Sequence, residues 1–253
     1  MAIFQRGIKM EITFLGTNGW FDTHTGATSC VFLNTKDCYI ILDAGSGFYK
    51  TSSLLKEDKP IFILLTHLHL DHICALQMLP LLKNKNITII VVGKEQKENL
   101  AKFMQLPFMP TAKMLGIDIA EIEEIKNKLP FKVEYSELAH AVKTFGYKIF
   151  AEDKVVAYGL DSGLCENILN LAKDSDLFIC ECSYLPNQDP DFNHLNPKAA
   201  ALIAKEAKTK LLALIHFKAD VYDTFEKRDM ALLEAGKYFE KTFAPYDGDT
   251  ITL

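Results

Sequence analysis

Residues 66–72 read Thr-His-Leu-His-Leu-Asp-His, "THLHLDH". This stretch holds three of the chain's seven histidines and follows directly on the apolar run "PIFILL" (60–65). Imidazole nitrogen and carboxylate oxygen are the donors that borderline divalent metals take. Seven histidines scattered at random over 253 residues would not place three within six positions. The stretch therefore reads as a metal site set where a buried strand ends and a turn leads into a helix. One ion needs at least three protein ligands, and four donors this close cannot all reach the same ion. The economical arrangement is two ions, with His67 and His69 on one, Asp71 and His72 on the other, and further ligands from elsewhere.

Candidates for those further ligands lie at strand and loop ends, where site residues collect. His140 follows a strand, Asp161 ends "VVAYGLD" (155–161), His194 precedes a capped helix and His216 ends "LLALIH" (211–216). His24, in the loop "WFDTHTGATS" (20–29), is left over and reads as a surface histidine. Asp43 ends "YIILD" and reads as a group that orients a ligand histidine.

Around this site the chain alternates strands and helices. Strands are expected at 11–15, 29–33, 38–43, 61–66, 87–92, 131–135, 143–150, 154–159, 176–181 and 211–215, with a closing strand in "TITL". Helices are expected at 73–83, 163–173 with Ser162 as N-cap, 197–207 with Asn196 as N-cap and Pro197 at the first position, and near 225–239. Residues 94–129 read as helix-rich, with "LAKFMQLPFMP" (100–110) as a core-packing helix and turn. The pattern implies two packed sheets with helices outside, ligands gathering at the strand C-termini. "CEC" (180–182) lies on a strand, so Cys180 and Cys182 share one face and Glu181 points to the other.

Composition narrows the function. The chain is 49% hydrophobic, enough for a sizeable core, and carries 28 basic against 33 acidic residues for a net charge of −5. That balance is not a nucleic-acid footprint, and the run "KEAKTK" (205–210) reads as a solvated helix face. No linker or repeat divides the chain, so residues 10–253 are expected to form one domain preceded by an extension, "MAIFQRGIK". That start resembles neither a signal nor a spanning helix. The six cysteines sit in apolar runs as small buried hydrophobes. A reduced, cytoplasmic protein without membrane contact is expected.

The signature His-x-His-x-Asp-His at 67–72 resembles that of the metallo-β-lactamase superfamily. More narrowly, the chain is similar to the ribonuclease Z-like branch and its arylsulfatase-like relatives. "ITFLGT" (12–17), "ILDAGSG" (41–47), "HAVKTFGYKI" (140–149), "YGLDSG" (158–163), "CECSY" (180–184), "HLNPKAAALIAKEAKTKLLALIHF" (194–217) and "APYDGDTITL" (244–253) carry the likeness. It departs at Asn196, where the family usually has Ser or Thr. The resemblance implies a four-layer αββα sandwich of α/β class. It implies His67, His69 and His140 on a first metal, Asp71, His72 and His216 on a second, and Asp161 bridging both. It also implies His194 as the residue assisting leaving-group departure, held by Glu181.

The activity so implied is that of a dinuclear-metal hydrolase, foremost a phosphodiesterase, in which the ions share a hydroxide. Zinc is the expected metal, manganese fits nearly as well, and iron is disfavoured because the di-iron relatives carry Glu where this chain has His69. His140 and Asp161 stand only 161 − 140 = 21 positions apart. That span has no room for the arm that grips transfer RNA in common bacterial relatives, so a small diester or short oligonucleotide is the expected substrate. Arylsulfatase-like, lactonase- or β-lactamase-like and transfer-RNA 3′-processing activities are the alternatives, and a non-catalytic scaffold is a further one. The branch also suggests a homodimer.

Overall fold

The computed structural model describes residues 9–82 and 86–253. The expected extension therefore falls outside the described residues except for exposed Lys9, and the chain enters the fold at Met10, which is buried. Among the described residues no helix is long and apolar enough to cross a membrane.

The strands, in chain order, are β1 (Glu11–Gly16), β2 (Asn18–Gly19), β3 (Cys30–Asn34), β4 (Tyr39–Leu42), β5 (Ile61–Leu64), β6 (Ile87–Val91), β7 (Asp118–Glu121), β8 (Lys132–Leu138), β9 (Thr144–Ala151), β10 (Lys154–Gly159), β11 (Leu177–Glu181), β12 (Leu212–Ile215), β13 (Phe217–Lys218), β14 (Thr242–Phe243) and β15 (Thr250–Thr252). One sheet has the order β15-β1-β3-β4-β5-β6-β7, a second β14-β12-β11-β10-β9-β8, and β13 pairs with β2 in a two-stranded ribbon. The helices are α1 (Leu70–Ile73), α2 (Lys94–Phe103), α3 (Ala112–Leu115), α4 (Ile122–Ile125), α5 (Glu166–Ala172), α6 (Pro197–Glu206) and α7 (Phe225–Gly236).

Three apolar layers hold these elements together. Phe14, Leu42, Leu64 and Ile90 of the first sheet pack on Tyr147, Val156, Ile179 and Ile215 of the second. The opposite face of the first sheet, with Ile41, Ile63 and Ile89, is covered by Leu76, Leu79 and Leu100. The opposite face of the second, with Phe178, Cys180 and Leu214, is covered by Ile168, Ala200, Ala204 and Ala231. The result is the expected αββα sandwich. Both faces of the central parallel strands are buried, which is why β5 reads as a continuous apolar run rather than an alternation. Each fully buried Leu or Ile contributes roughly 1.5–3 kcal/mol.

Several local expectations are corrected. The helix expected at 73–83 begins earlier, as one α-turn at Leu70–Ile73, and continues as a 3-10 helix to Leu82 with Pro80 inside it; its last residue lies outside the described residues. Pro80 has no N–H to donate, which disfavours a regular α-helix there. Ser162 does not cap α5, whose N-cap position is Cys165. The helix-rich segment 94–129 contains strand β7, a four-residue edge strand parallel to β6. Four residues bearing Asp118 and Glu121 are too few to show an alternating pattern against helical flanks. Within that segment Leu100, Met104 and Met109 are buried, as a core-packing helix requires, while Leu106 and Phe108 are exposed. Asn196 caps α6 as expected, its side chain accepting from Ala199 N–H at 2.8 Å. Lys205, Lys208 and Lys210 are solvent-exposed.

Candidate metal centre

Strands β4, β5 and β6 run parallel in one sheet, and β10, β11 and β12 in the other. Their C-terminal ends meet at one edge of the sandwich, the place where ligands gather in such sheets. Asp43 follows β4, His67 follows β5, Asp161 follows β10, Glu181 ends β11 and His216 follows β12. Three overlapping groups of donor atoms form there, each close enough to hold one cation: His67, His69, His140 and Asp161; Asp71, His72 and His216; and Asp161, His194 and His216. Asp161 joins them. Its Oδ1 lies 3.1 Å from His216 Nε2 and 3.5 Å from His72 Nε2. Its Oδ2 lies 3.9 Å from His140 Nε2 and 4.0 Å from His67 Nε2. His69 Nδ1 stands 3.5 Å from His140 Nε2, and Asp71 Oδ2 stands 3.4 Å from His216 Nε2.

The outward nitrogens of four imidazoles are engaged, which fixes their tautomers. His72 Nδ1–H donates to Asp43 at 2.8 Å, and Asp43 also accepts from Thr66 N–H at 2.8 Å and Tyr158 O–H at 3.0 Å. Thr66 Oγ1 donates to Asp43, so it accepts from His67 Nδ1–H at 3.0 Å. His216 Nδ1 meets Ser183 Oγ at 3.2 Å, and His140 Nδ1–H donates to the Asn193 carbonyl at 3.3 Å. The Nε2 lone pairs are left converging on one another. His72 Nε2 and His216 Nε2 are 3.3 Å apart, and His67 Nε2 and Asp161 Oδ1 are buried without a hydrogen-bond partner. Orphaned buried acceptors aimed at a common point, all nitrogen or oxygen, fit divalent cations.

The protonation states agree with that fit. Burial holds His67 well below the ordinary imidazole range, helped by neighbouring His72, and burial likewise lowers His69 and His140. For Asp161, burial opposes ionisation, but His216 and His72 outweigh it and hold the carboxyl below the usual carboxylate range; His72 and His216 do the same for Asp71. Burial lowers His72, but Asp71, Asp43 and Asp161 override it and raise it well above the ordinary value. Three carboxylates there call for positive charge, a requirement that a cation meets as well as a proton does.

Beside the cluster, Glu181 Oε1 accepts from His194 Nδ1–H at 2.9 Å. Ser162 N–H and Ser183 N–H hold the two Glu181 oxygens at 2.9 and 3.1 Å. Burial lowers His194, but Glu181 carries it up to about 9. Its ring centroid lies 5.3 Å from that of His140. Cys180 and Cys182 point into the opposite, apolar layer, as the alternation required. His24 is exposed, edge-on to Phe225. A cavity of about 290 Å³ opens over the cluster.

Sequence reading missed the loop after β1 and its partner after β12. The β2–β13 ribbon pairs Gly19 with Lys218 and joins the two sheets beside the site. A Cβ at Gly19 would stand 2.5 Å from the His216 ring, so the close approach needs glycine. The only signal was a glycine beside a strand end. Asp43 and His216 adopt φ of 59° and 54°, left-handed values that non-glycine residues keep where the surroundings over-determine them.

Comparison with known proteins now fits the geometry. Residues 39–217 match the family described as Beta-lactamase superfamily domain, and the chain belongs to it. It is 26% identical over 228 residues to "Probable metallo-hydrolase YhfI" of Bacillus subtilis (strain 168), covering 86% of this chain and 91% of that one. It is 24% identical over 289 residues to "Ribonuclease Z" of Sulfurisphaera tokodaii, covering 92% and 95%. The crystal structure of the metallo-beta-lactamase fold protein YhfI from Bacillus subtilis superposes with a TM-score of 0.79 at 21% identity, over 96% of this chain and 100% of that one. A diphosphatase from the PhnP family superposes with a TM-score of 0.72 at 16% identity, over 97% and 98%.

Proposed function

We propose that this metallo-hydrolase is a phosphodiesterase acting on a small phosphodiester or short nucleic acid. The observation that carries the reading is His194, held by Glu181 at 2.9 Å and facing the same cavity as the donor cluster. The likeness to proteins named ribonuclease Z and diphosphatase supports it.

His67, His69 and His140 would hold one cation, Asp71, His72 and His216 the other, with Asp161 shared. Zinc suits the all-nitrogen-and-oxygen donor set, and manganese nearly as well. Such ions supply Lewis acidity to the phosphoryl oxygens and lower the pKa of water from near 16 to about 7. Glu181 accepts a hydrogen bond from His194 Nδ1–H and raises the ring's pKa to about 9, so at neutral pH the ring is an imidazolium whose Nε2–H passes to the leaving oxygen as its bond to phosphorus breaks. Proton donation of this kind typically contributes about 10²–10⁴-fold. Asp43 keeps His72 in the tautomer whose Nε2 lone pair faces the cavity.

Only the β9–β10 hairpin, turning through Glu152 and Asp153, fills the span from His140 to Asp161 beyond short connections. This supports small diesters over transfer RNA as substrate. The test compares bis(p-nitrophenyl) phosphate, an aryl sulfate and nitrocefin on metal-reconstituted protein. Diester turnover is expected to dominate. Sulfatase activity without diesterase activity reverses the assignment.

A further inference from the structure

The rim of the cavity carries the chain's single tryptophan. Trp20 is 60% exposed and has φ of 76°, a conformation that a bulky residue keeps only under constraint. The constraints are visible. Trp20 N–H donates to Asp71 Oδ2 at 2.8 Å, and the preceding Gly19 is locked in the ladder with Lys218 and pressed on the His216 ring. Beneath the loop, buried Arg228 donates through Nη1 to Thr17 Oγ1 at 2.9 Å and through Nη2 to the Asn18 side chain. The backbone is fixed from below while the indole is held in water.

Two neighbours complete the rim. Lys218 Nζ lies over one face of the Trp20 ring, 5.1 Å from its centroid and 3.5 Å from Asp220 Oδ2, and lines the same cavity, leaving the other face of the indole to a ligand. The Phe21 ring leans on the indole at 5.4 Å. The cavity, about 290 Å³, lies at the small end of ligand sites, which run from about 300 Å³ upward. It has room for a sugar phosphate over the donor cluster, and a larger ester would extend beyond it, either past His69 toward the cavity lined by Leu68, Gln96 and Phe145 or across the Trp20 rim. The group met there is an aromatic face beside an ammonium.

We propose that Trp20 is a stacking platform for a nucleobase, with Lys218 offsetting phosphate charge beside it, so that the substrates are nucleoside phosphodiesters. This rests on the phosphodiesterase reading and adds the substrate class to it. Base–aromatic stacking tolerates any base because every base has a π-face, and the rigid loop presents the indole without a prior ordering cost.

Having one tryptophan makes its emission a direct reporter. The metal-reconstituted full chain is titrated with adenosine 5′-monophosphate and, as the base-free probe, ribose 5-phosphate. The nucleotide is expected to quench emission saturably and the sugar phosphate to leave it unchanged. As inhibitors of bis(p-nitrophenyl) phosphate hydrolysis, the nucleotide should act at about tenfold lower concentration than the sugar phosphate. Trp20→Ala should erase that preference, and Trp20→Phe should keep most of it. Equal inhibition by the two probes, or emission the nucleotide does not alter, overturns the platform. Emission that changes with protein concentration alone assigns the rim to self-association and overturns it as well. Diester turnover without base preference sinks the platform only, whereas absence of diester turnover sinks the phosphodiesterase reading with it.

Discussion

The floor of the cavity and its rim differ in how much water they meet. His67, His72, Asp161 and His216 on the floor are buried, the outer imidazole nitrogens held by supporting groups while His67 Nε2 and Asp161 Oδ1 have no hydrogen-bond partner. Trp20, Lys218 and His194 on the rim keep contact with solvent. Charges that lose hydration must be matched by nearby partners, so the floor tolerates little change. Groups that stay hydrated carry no such demand and are free to set specificity and proton transfer.

Four substitutions can break or sharpen that contrast. Asp161→Ala removes the carboxylate that joins the donor groups and should abolish turnover and weaken metal retention, read together by kinetics and elemental analysis. Full activity with unchanged metal content would defeat the assignment. His194→Ala should lower kcat by about 10²–10⁴-fold with metal content retained. Loss of metal in that variant would move His194 from rim to floor.

Asp43→Asn tests the floor's support. Asn tolerates the left-handed backbone at this position, but its amide would offer a donor to His72 Nδ1. His72 would then carry its proton on Nε2 and lose the lone pair facing the cavity. Metal affinity should fall about 10–100-fold, measured by competition with a chelator; unchanged affinity would remove Asp43 from the supports.

Glu181→Gln should act least and most specifically. With the His194 imidazolium as the proposed acid, activity should be present below its pKa and lost as pH rises through about 9. Glu181 is the chief group raising that value, and removing its charge should move the alkaline limb of the rate profile to lower pH. An unmoved limb would show that another group sets it.

The sequence and the structure agree unevenly along the chain. β5 and the donors after it were legible because an apolar run of strand length followed by clustered histidines has few other uses. Asn196 was legible as a cap because the cap, Pro197 and the helix are contiguous. Strand β7 was hidden because a four-residue edge strand carries almost no periodic signal. Ser162 looked like a cap because hydroxyls often are, but it lies three positions before the N-cap Cys165, with its N–H on Glu181, 19 positions away, and its Oγ donating to the Gly163 carbonyl.

By itself the sequence determined the layered α/β class and the residue types of the donor cluster, since hydrophobic period and donor chemistry are written locally. Tertiary structure decided which donors face each other, which imidazole nitrogen is left free, and that the loop carrying Gly19 and Trp20 closes one side of the cavity. Those outcomes depend on strand register and crossovers between the sheets, where residues far apart in the chain, such as Trp20 and Lys218 at 218 − 20 = 198 positions, are brought into contact by packing that no local pattern encodes.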